Sequence, residues 1–255
     1  MEPRFLVVGK VMTQPHILQQ LIFETQFLLA QGKAVLVVFD IDSTLLDVSP
    51  RIERIIHDFA DEIVTTDPET AEILKTVRTQ KTDWGIRSAL ERVGLRHEHH
   101  EDTVQRIKDF WHARFFSNQY LHLDEPLPGS VEFVNHLYEM GADVAYLTGR
   151  DEIRMGPGTA AAMAQHRFPL SPPRARLVLK PRPGIDDFNY KEEWFYAIPK
   201  DRYERIWFFE NEPVNIAQIR LAHPEVRNIF VDTTHSGKAE PPTDLPVIFD
   251  FLWKG

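Results

Sequence analysis

Apolar positions along this chain follow two periods, and their alternation predicts the architecture. Leu18, Leu21, Ile22, Leu28 and Leu29 recur at helical spacing and predict a helix over residues 15 to 31 that stops near Gly32. "VLVVF" at 35 to 39 is a continuous β-branched run of strand length, the pattern of a central parallel strand covered on both faces. Similar runs follow at 143 to 148 ("DVAYLT"), 176 to 179 ("RLVL"), 205 to 209 ("RIWFF") and 227 to 231 ("RNIFV"). Each is separated from the next by room for a helix, so the expected class is α/β, a Rossmann-like, doubly wound parallel sheet.

The gap between the first two runs is different. Residues 48 to 126 carry no strand pattern and are far too many for one crossover helix. Ile52, Ile55, Ile56, Phe59 and Ile63 mark one amphipathic helix, and Val104, Ile107, Trp111 and Phe115 mark another. "PETAEILKTVRTQ" and "DWGIRSALERVG" between them also read as helical. An all-helical domain over 48 to 126 is therefore expected inside a core made of 1 to 47 and 127 to 255. Ser130 to Met140 predicts the crossover helix, closed by Gly141. The Pro-rich pieces "FPLSPPRAR" and "AEPPTDLP" read as connections.

Composition narrows the partners. The formal charge of -9 weighs against a general nucleic-acid or anionic-membrane binder and leaves small solutes as the expected partners. With no cysteine, disulfides, thiolate metal sites and a cysteine nucleophile are excluded. The early apolar stretch "HILQQLIFETQFLLAQ" is broken by Gln and Glu, and no uninterrupted apolar run approaches the ~20 residues of a membrane span. A soluble, cytoplasmic protein is the expectation.

In an open parallel sheet, ligands bind beyond the carboxyl ends of the strands. Asp40, Thr148 and Glu210 each stand at such an end, a set of hard oxygen donors suited to Mg²⁺. Phosphoryl transfer needs an in-line nucleophile, neutralisation of the phosphoryl oxygens and a proton for the departing oxygen. Asp40, ionised, can attack phosphorus; Asp42 can protonate the leaving alcohol and later activate water. This division of labour expects Asp40 ionised and Asp42 protonated.

These residues carry a resemblance. "FDIDSTLLD" resembles the first motif of the haloacid dehalogenase superfamily, "AYLTGRDE" resembles its second, and "IWFFENEPVN" takes the place of its fourth. The likeness covers about 34 to 50 and 127 to 235, with the helical insertion where that family carries its helical cap. It implies a Mg²⁺-dependent phosphatase acting on a small phosphorylated substrate through an aspartyl phosphate. Asp40 would be the nucleophile, Asp42 the acid and base with its main-chain carbonyl on Mg²⁺, and Thr148 a donor to the phosphoryl group. The third motif is a lone lysine, for which Lys180 and Lys191 compete. Lys191 is favoured because it precedes Glu210 by 19 residues and opens the helix leading into the next strand.

The fourth motif departs from the pattern. Glu210 and Asn211 stand where aspartates are usual, which implies a weaker hold on Mg²⁺, and Glu212 is expected to face solvent. "TGR" followed by R-x-G-x-x-T and an F-P turn is similar to the phosphatase domains of polynucleotide kinases and some acid phosphatases. That likeness implies Arg150 and Arg154 near a phosphate, with a structural salt bridge the alternative for Arg150. Gly149 and Lys180 are further candidates for binding substrate, and the acidic chain disfavours a nucleic-acid end phosphate. The alternatives are a phosphomutase using the same acids, and a non-catalytic phosphate-binding or regulatory protein.

Three further stretches read as structure. "RHEHHED", with His97, His99 and His100, reads as a solvated loop rather than a zinc site. The aromatics of "FWHARFF" read as core of the insertion, with one of Trp111, Phe115 or Phe116 at the entrance. "VDTTHSG" follows the last strand run, and Asp232 or His235 could reach substrate from it, but it reads as a simple loop.

Overall fold

The computed structural model describes residues 13 to 253. Helix α1 (Gln14–Ala30) carries Pro15 in its first turn, where the missing N–H costs nothing, and hands over to β1 (Ala34–Phe39) through Gly32. A short strand β2 (Leu46–Asp47) leads into the insertion: α2 (Ser49–Ile63), α3 (Pro68–Lys75), α4 (Arg87–Arg92) and α5 (Glu101–Phe115). The chain returns through β3 (Glu125–Pro126), which pairs antiparallel with β2. The core then runs α6 (Ser130–Met140), β4 (Asp143–Asp151), α7 (Glu152–Gln165), β5 (Ala175–Lys180), α8 (Asp187–Ala197), β6 (Tyr203–Glu210), α9 (Pro213–Ala222), β7 (Val226–Val231) and β8 (Val247–Ile248).

The main sheet has six parallel strands in the order β5-β4-β1-β6-β7-β8. All five strand runs expected from the sequence are in it, and the doubly wound class holds. Strand β1 is central, and its alternate residues feed two cores. Val35, Val37 and Phe39 pack with α1 and α6, whereas Leu36 and Val38 pack on the opposite face with Phe195 of α8 and Ile219 of α9. The edge strand β8 follows directly on a Pro-rich connection and was not legible in the pattern. The insertion has its own apolar cluster, with Ile52, Ile56, Phe59 and Ile63 of α2 against Leu74, Leu90 and Ile107.

Two helical expectations shorten. The helix after Pro68 ends at Lys75, and that expected over "DWGIRSALERVG" begins only at Arg87. The loop between them is closed by Asp83, whose carboxylate accepts from the Gln80 amide and from both terminal nitrogens of Arg92. A side chain that satisfies the backbone locally competes with continuing the helix.

Phe39 and Phe209 are neighbours across β1 and β6, stacked at 4.8 Å and 20°, and each immediately precedes an acid of the sheet edge. Phe133 and Phe251 close the same cluster. Truncating Phe209 to Ala is expected to cost about 3–5 kcal/mol of stability, read from the denaturant midpoint. A loss below about 1 kcal/mol would show that this stack does not hold the strands in register.

Candidate active site

Beyond the carboxyl ends of the strands lies a cavity of about 490 Å³, with Asp40, Asp42, Gly149, Arg150, Lys180, Lys191, Glu210 and Asn211 in its wall. Strand β1 ends with the Asp40 amide donating to the Phe209 carbonyl at 3.0 Å. The chain then coils: the amides of Thr44, Leu45 and Leu46 all donate to the Ile41 carbonyl. Ser43 sits in the left-handed region at φ 60°, a conformation costly for a residue with a side chain. It is held there by its amide on Leu46 and by the Thr233 hydroxyl on its carbonyl. This turn lifts Asp42 out of the strand line and sets it beside Asp40.

Lys191, in the opening turns of α8, is buried between two acids. Its Nζ donates to Asp40 Oδ1 at 2.7 Å and to Glu210 Oε2 at 2.7 Å. Helix α8 is set by Asp186, whose carboxylate caps the Phe188 and Asn189 amides. Of the two lysines left open by the sequence, Lys191 reaches Asp40. Lys180 faces the cavity but pairs with Asp187 and donates to the Ile185 carbonyl at 3.0 Å.

Glu210 is held from the other side as well. Its Oε1 accepts the amides of Asn211 and Glu212 at 3.1 and 2.9 Å, at the positive N-terminal end of α9, and Asn215 Nδ2 donates to Oε2 at 3.3 Å. Asn211 Oδ1 accepts from the Thr44 hydroxyl at 2.9 Å, and its Nδ2 donates to the Thr234 carbonyl at 2.6 Å.

Asp42 faces a second cluster that the sequence did not reveal. Arg150 donates to it through Nε and Nη2, and Arg51 of α2 donates to Asp42 Oδ1 at 3.0 Å. Both arginines also meet Asp124, fully buried beside β3: Arg150 Nη2 donates to Oδ2 at 2.6 Å, and Arg51 Nε lies 3.0 Å from Oδ1, an ion pair without hydrogen-bond alignment. Arg51 stands at the entry to the insertion and Asp124 at its exit. The only signal available in the sequence was that these two ends must meet.

The two acids therefore differ in proton affinity, and Asp42 departs from the expectation. Burial pushes the Asp40 carboxyl up to about 7; the Lys191 ammonium opposes this, and the Glu210 carboxylate adds to it. Burial also pushes Asp42 up, but the guanidinium groups of Arg150 and Arg51 more than offset it and hold the carboxyl at about 2. Asp42, expected to be protonated, is ionised because two cations face it.

Arg150 is buried, borders the cavity and donates to Asp42, Asp124 and the Thr159 hydroxyl, the ion-pair alternative expected for it. Other expectations are corrected. Thr148 is fully buried, its hydroxyl oxygen accepts the Arg150 amide at 3.3 Å, and the cavity wall at that point is Gly149 and Arg150 instead. A Cβ on Gly149 would run into the Asp187 carboxylate, so a larger residue there requires that side chain to shift. Arg154 pairs with Asp151. Glu212 does not face open solvent but accepts from the Ser236 amide and hydroxyl and lines the cavity. In "VDTTHSG" the wall residues are Thr234 and Ser236 rather than Asp232 or His235. Trp111, Phe115 and Phe116 all line the cavity, rather than one of them. His97, His99 and His100 are exposed.

The donor chemistry suits a hard cation. Asp40 and Glu210 share one ammonium, whereas Asp42 and Asp124 are matched by two guanidiniums. The floor is thus one positive charge short at Asp40, which is where the carboxyl is pushed up. Among the described residues no protein donor reaches Asp40 Oδ2, and no amide donates to the Asp42 main-chain carbonyl. No cluster of three or more acids and histidines is arranged for a metal among those residues. Mg²⁺ binds through one or two carboxylates and keeps several waters. Among the described residues Asp40 and the Asp42 carbonyl offer free lone pairs, whereas both Glu210 oxygens already accept two donors each and would have to exchange one.

A family model for haloacid dehalogenase-like hydrolases matches residues 35 to 185, more than half of the chain. The chain belongs to the haloacid dehalogenase-like hydrolase family. Among solved structures, it is similar to a HAD-superfamily hydrolase from Ehrlichia chaffeensis, with 12% identity over 86% of this chain and 93% of that one and a TM-score of 0.46. A haloacid dehalogenase-like family hydrolase from Streptococcus pneumoniae shares 12% identity over 77% of this chain and 84% of that one, with a TM-score of 0.45. A structure described as a predicted phosphoglycolate phosphatase from Haemophilus somnus shares 16% over 85% of this chain and 94% of that one, with a TM-score of 0.44. No curated protein matches this hydrolase in sequence.

The charge states make a stability prediction. A carboxyl raised from 3.8 to about 7 keeps its proton in the folded chain after the unfolded chain has lost it. Stability therefore falls as pH rises through that window, and the full cost is present above it. In chelator, Asp40→Asn is expected to raise the Tm at pH 8, with the gain shrinking by pH 5. A gain independent of pH in calorimetry would contradict the raised value. Asp42 acts in the opposite sense: its stabilisation is present above 3.8 and is lost as pH falls towards 2.

Proposed function

We propose that this hydrolase is a Mg²⁺-dependent phosphatase that hydrolyses a phosphate monoester through an aspartyl phosphate on Asp40. The observation that carries the reading is the pair of acids in opposite electrostatic settings, Asp40 beside one ammonium and Asp42 between two guanidiniums. A halide departs without a proton, so dehalogenation has no use for the second acid; an alkoxide needs it.

A carboxylate oxygen of Asp40 attacks phosphorus, the ester P–O bond breaks, and the leaving oxygen takes a proton from Asp42. Water then attacks the acyl phosphate and gives its proton back to Asp42, releasing inorganic phosphate and restoring Asp40. Lys191 neutralises charge on Asp40 and holds it in line, and Glu210 fixes Lys191. Ionised Asp42 already suits the second half, in which it accepts the proton of water. For the first half, the anionic phosphoryl group arriving beside it raises its proton affinity, and Asp42 takes up a proton from solvent that it passes to the leaving oxygen. Asp40, the Asp42 carbonyl, Glu210 and Asn211 would hold Mg²⁺, which supplies the charge that neutralises the phosphoryl oxygens. Gly149 and Lys180 border the phosphoryl site. The helical insertion acts as a cap that keeps bulk water from the nucleophile.

A panel of phosphate monoesters with Mg²⁺ is expected to give turnover that chelation abolishes and added Mg²⁺ restores, and Asp40→Asn is expected to be inactive. No turnover of any ester, together with no trapping of Asp40 by beryllium fluoride, would sink the reading.

Asp42→Asn should separate the two half-reactions. With p-nitrophenyl phosphate, whose leaving group needs no proton, a stoichiometric burst of phenolate is expected, followed by turnover slower by about 100-fold or more. An equal loss on good and poor leaving groups, without a burst, would remove Asp42 from both roles.

A further inference from the structure

Besides Phe188 of α8, the aromatic rings that line the cavity come from the insertion. Trp111, Phe115 and Phe116, from α5 and its end, are half-buried and line the space with Trp84. Trp111 and Phe115 lie 4.7 Å apart at 33°, and Phe115 meets Phe116 edge-on at 5.0 Å and 80°. Rings set obliquely to one another leave faces and edges for a further ring to pack against. The buried Arg51 guanidinium lies 3.9 Å over the Phe115 ring and ties this group to the Asp42 cluster.

Trp84 is the informative member. Its side chain remains 58% exposed although it lines a cavity rather than the outer surface alone. The loop that carries it is tied on both sides. Within the insertion, the preceding residue Asp83 is buried and bonded to Arg92 and to the Gln80 amide. Across the mouth, the Thr82 carbonyl accepts from the Thr234 hydroxyl of the core at 3.2 Å. An indole on a loop fixed by its neighbours, and left exposed among the described residues, is a preformed surface for a ligand.

We propose that the substrate is a phosphate monoester whose leaving group carries an aromatic ring, which packs against Trp84 and the Trp111–Phe116 wall while the phosphoryl group meets Asp40. This rests on the phosphatase reading above and deepens it. The cavity volume, about 490 Å³, lies within the range of small-molecule sites and accommodates a ring joined to a phosphate. The acids of the floor and the rings of the insertion divide recognition between them, the floor taking the phosphate and the rings taking the alcohol.

The test uses matched pairs whose leaving oxygens have similar basicity. Benzyl phosphate and cyclohexylmethyl phosphate serve for turnover, and benzylphosphonate and cyclohexylmethylphosphonate, whose C–P bond is not hydrolysed, serve for calorimetric binding with Mg²⁺ present. The aromatic member of each pair is expected to be favoured by roughly ten-fold in kcat/KM and in affinity. Trp84→Ala should bring both ratios close to one, and Trp84→Phe should retain most of them. Equal values for aromatic and alicyclic members in the wild type, or a preference that survives Trp84→Ala, overturns the proposal while leaving the phosphatase reading intact. Failure of both phosphonates to bind, with no monoester turned over, overturns both.

Discussion

A single buried ammonium, that of Lys191, sets the chemistry at the centre of this molecule. It bridges the acids at the ends of β1 and β6, Asp40 and Glu210, which adjoining parallel strands would otherwise bring together as two uncompensated negative charges. Isolated buried carboxylates are expensive, and the pair tolerates burial because each gains a charged donor. The compensation is incomplete, since one cation serves two anions. Burial, opposed by Lys191 and reinforced by Glu210, raises the proton affinity of Asp40 above that of an ordinary aspartate, and the shortfall leaves the floor receptive to another positive charge.

Two residues away the balance differs. Asp42 and Asp124 face Arg51 and Arg150 in a cluster whose charges match, and Asp42 is correspondingly held ionised. Its members come from the end of β1, the start of the insertion, its return and the end of β4. The cluster thus joins the insertion to the core at the point where the two linkers pair as β2 and β3. Neighbouring acids on one turn acquire different properties because the topology delivers one lysine to the first and two arginines to the second.

The insertion supplies what the core lacks. The strand ends offer acids, amides and hydroxyls but no large apolar surface, whereas α5 and the loop before α4 bring four aromatic side chains over them. The wall also joins the charge cluster, since Arg51 packs on Phe115 and donates to its carbonyl at 3.2 Å. Rigid strands thereby position the polar groups, and the added helices shape the remainder of the cavity.

The sequence by itself determined the doubly wound sheet, because five apolar runs of strand length and the helical stripes between them are local patterns that survive in any context. It also determined that Asp40, Asp42 and Glu210 lie at one edge, because the last residues of parallel strands share an edge by topology. It favoured Lys191 over Lys180 from spacing, but only the packed chain shows the ammonium between the two acids. Charge states were beyond its reach. The environment of Asp42 depends on Arg51 and Asp124, whose positions are joined only when the linkers pair, and the partners of Arg150 are distant in the chain. Trp84, in a loop with no periodic signal, becomes meaningful only when the Thr82–Thr234 bond sets it over the cavity. Local pattern fixes which elements form and where their ends lie; burial and charge pairing are sums over residues far apart in sequence, and only the tertiary structure performs that sum.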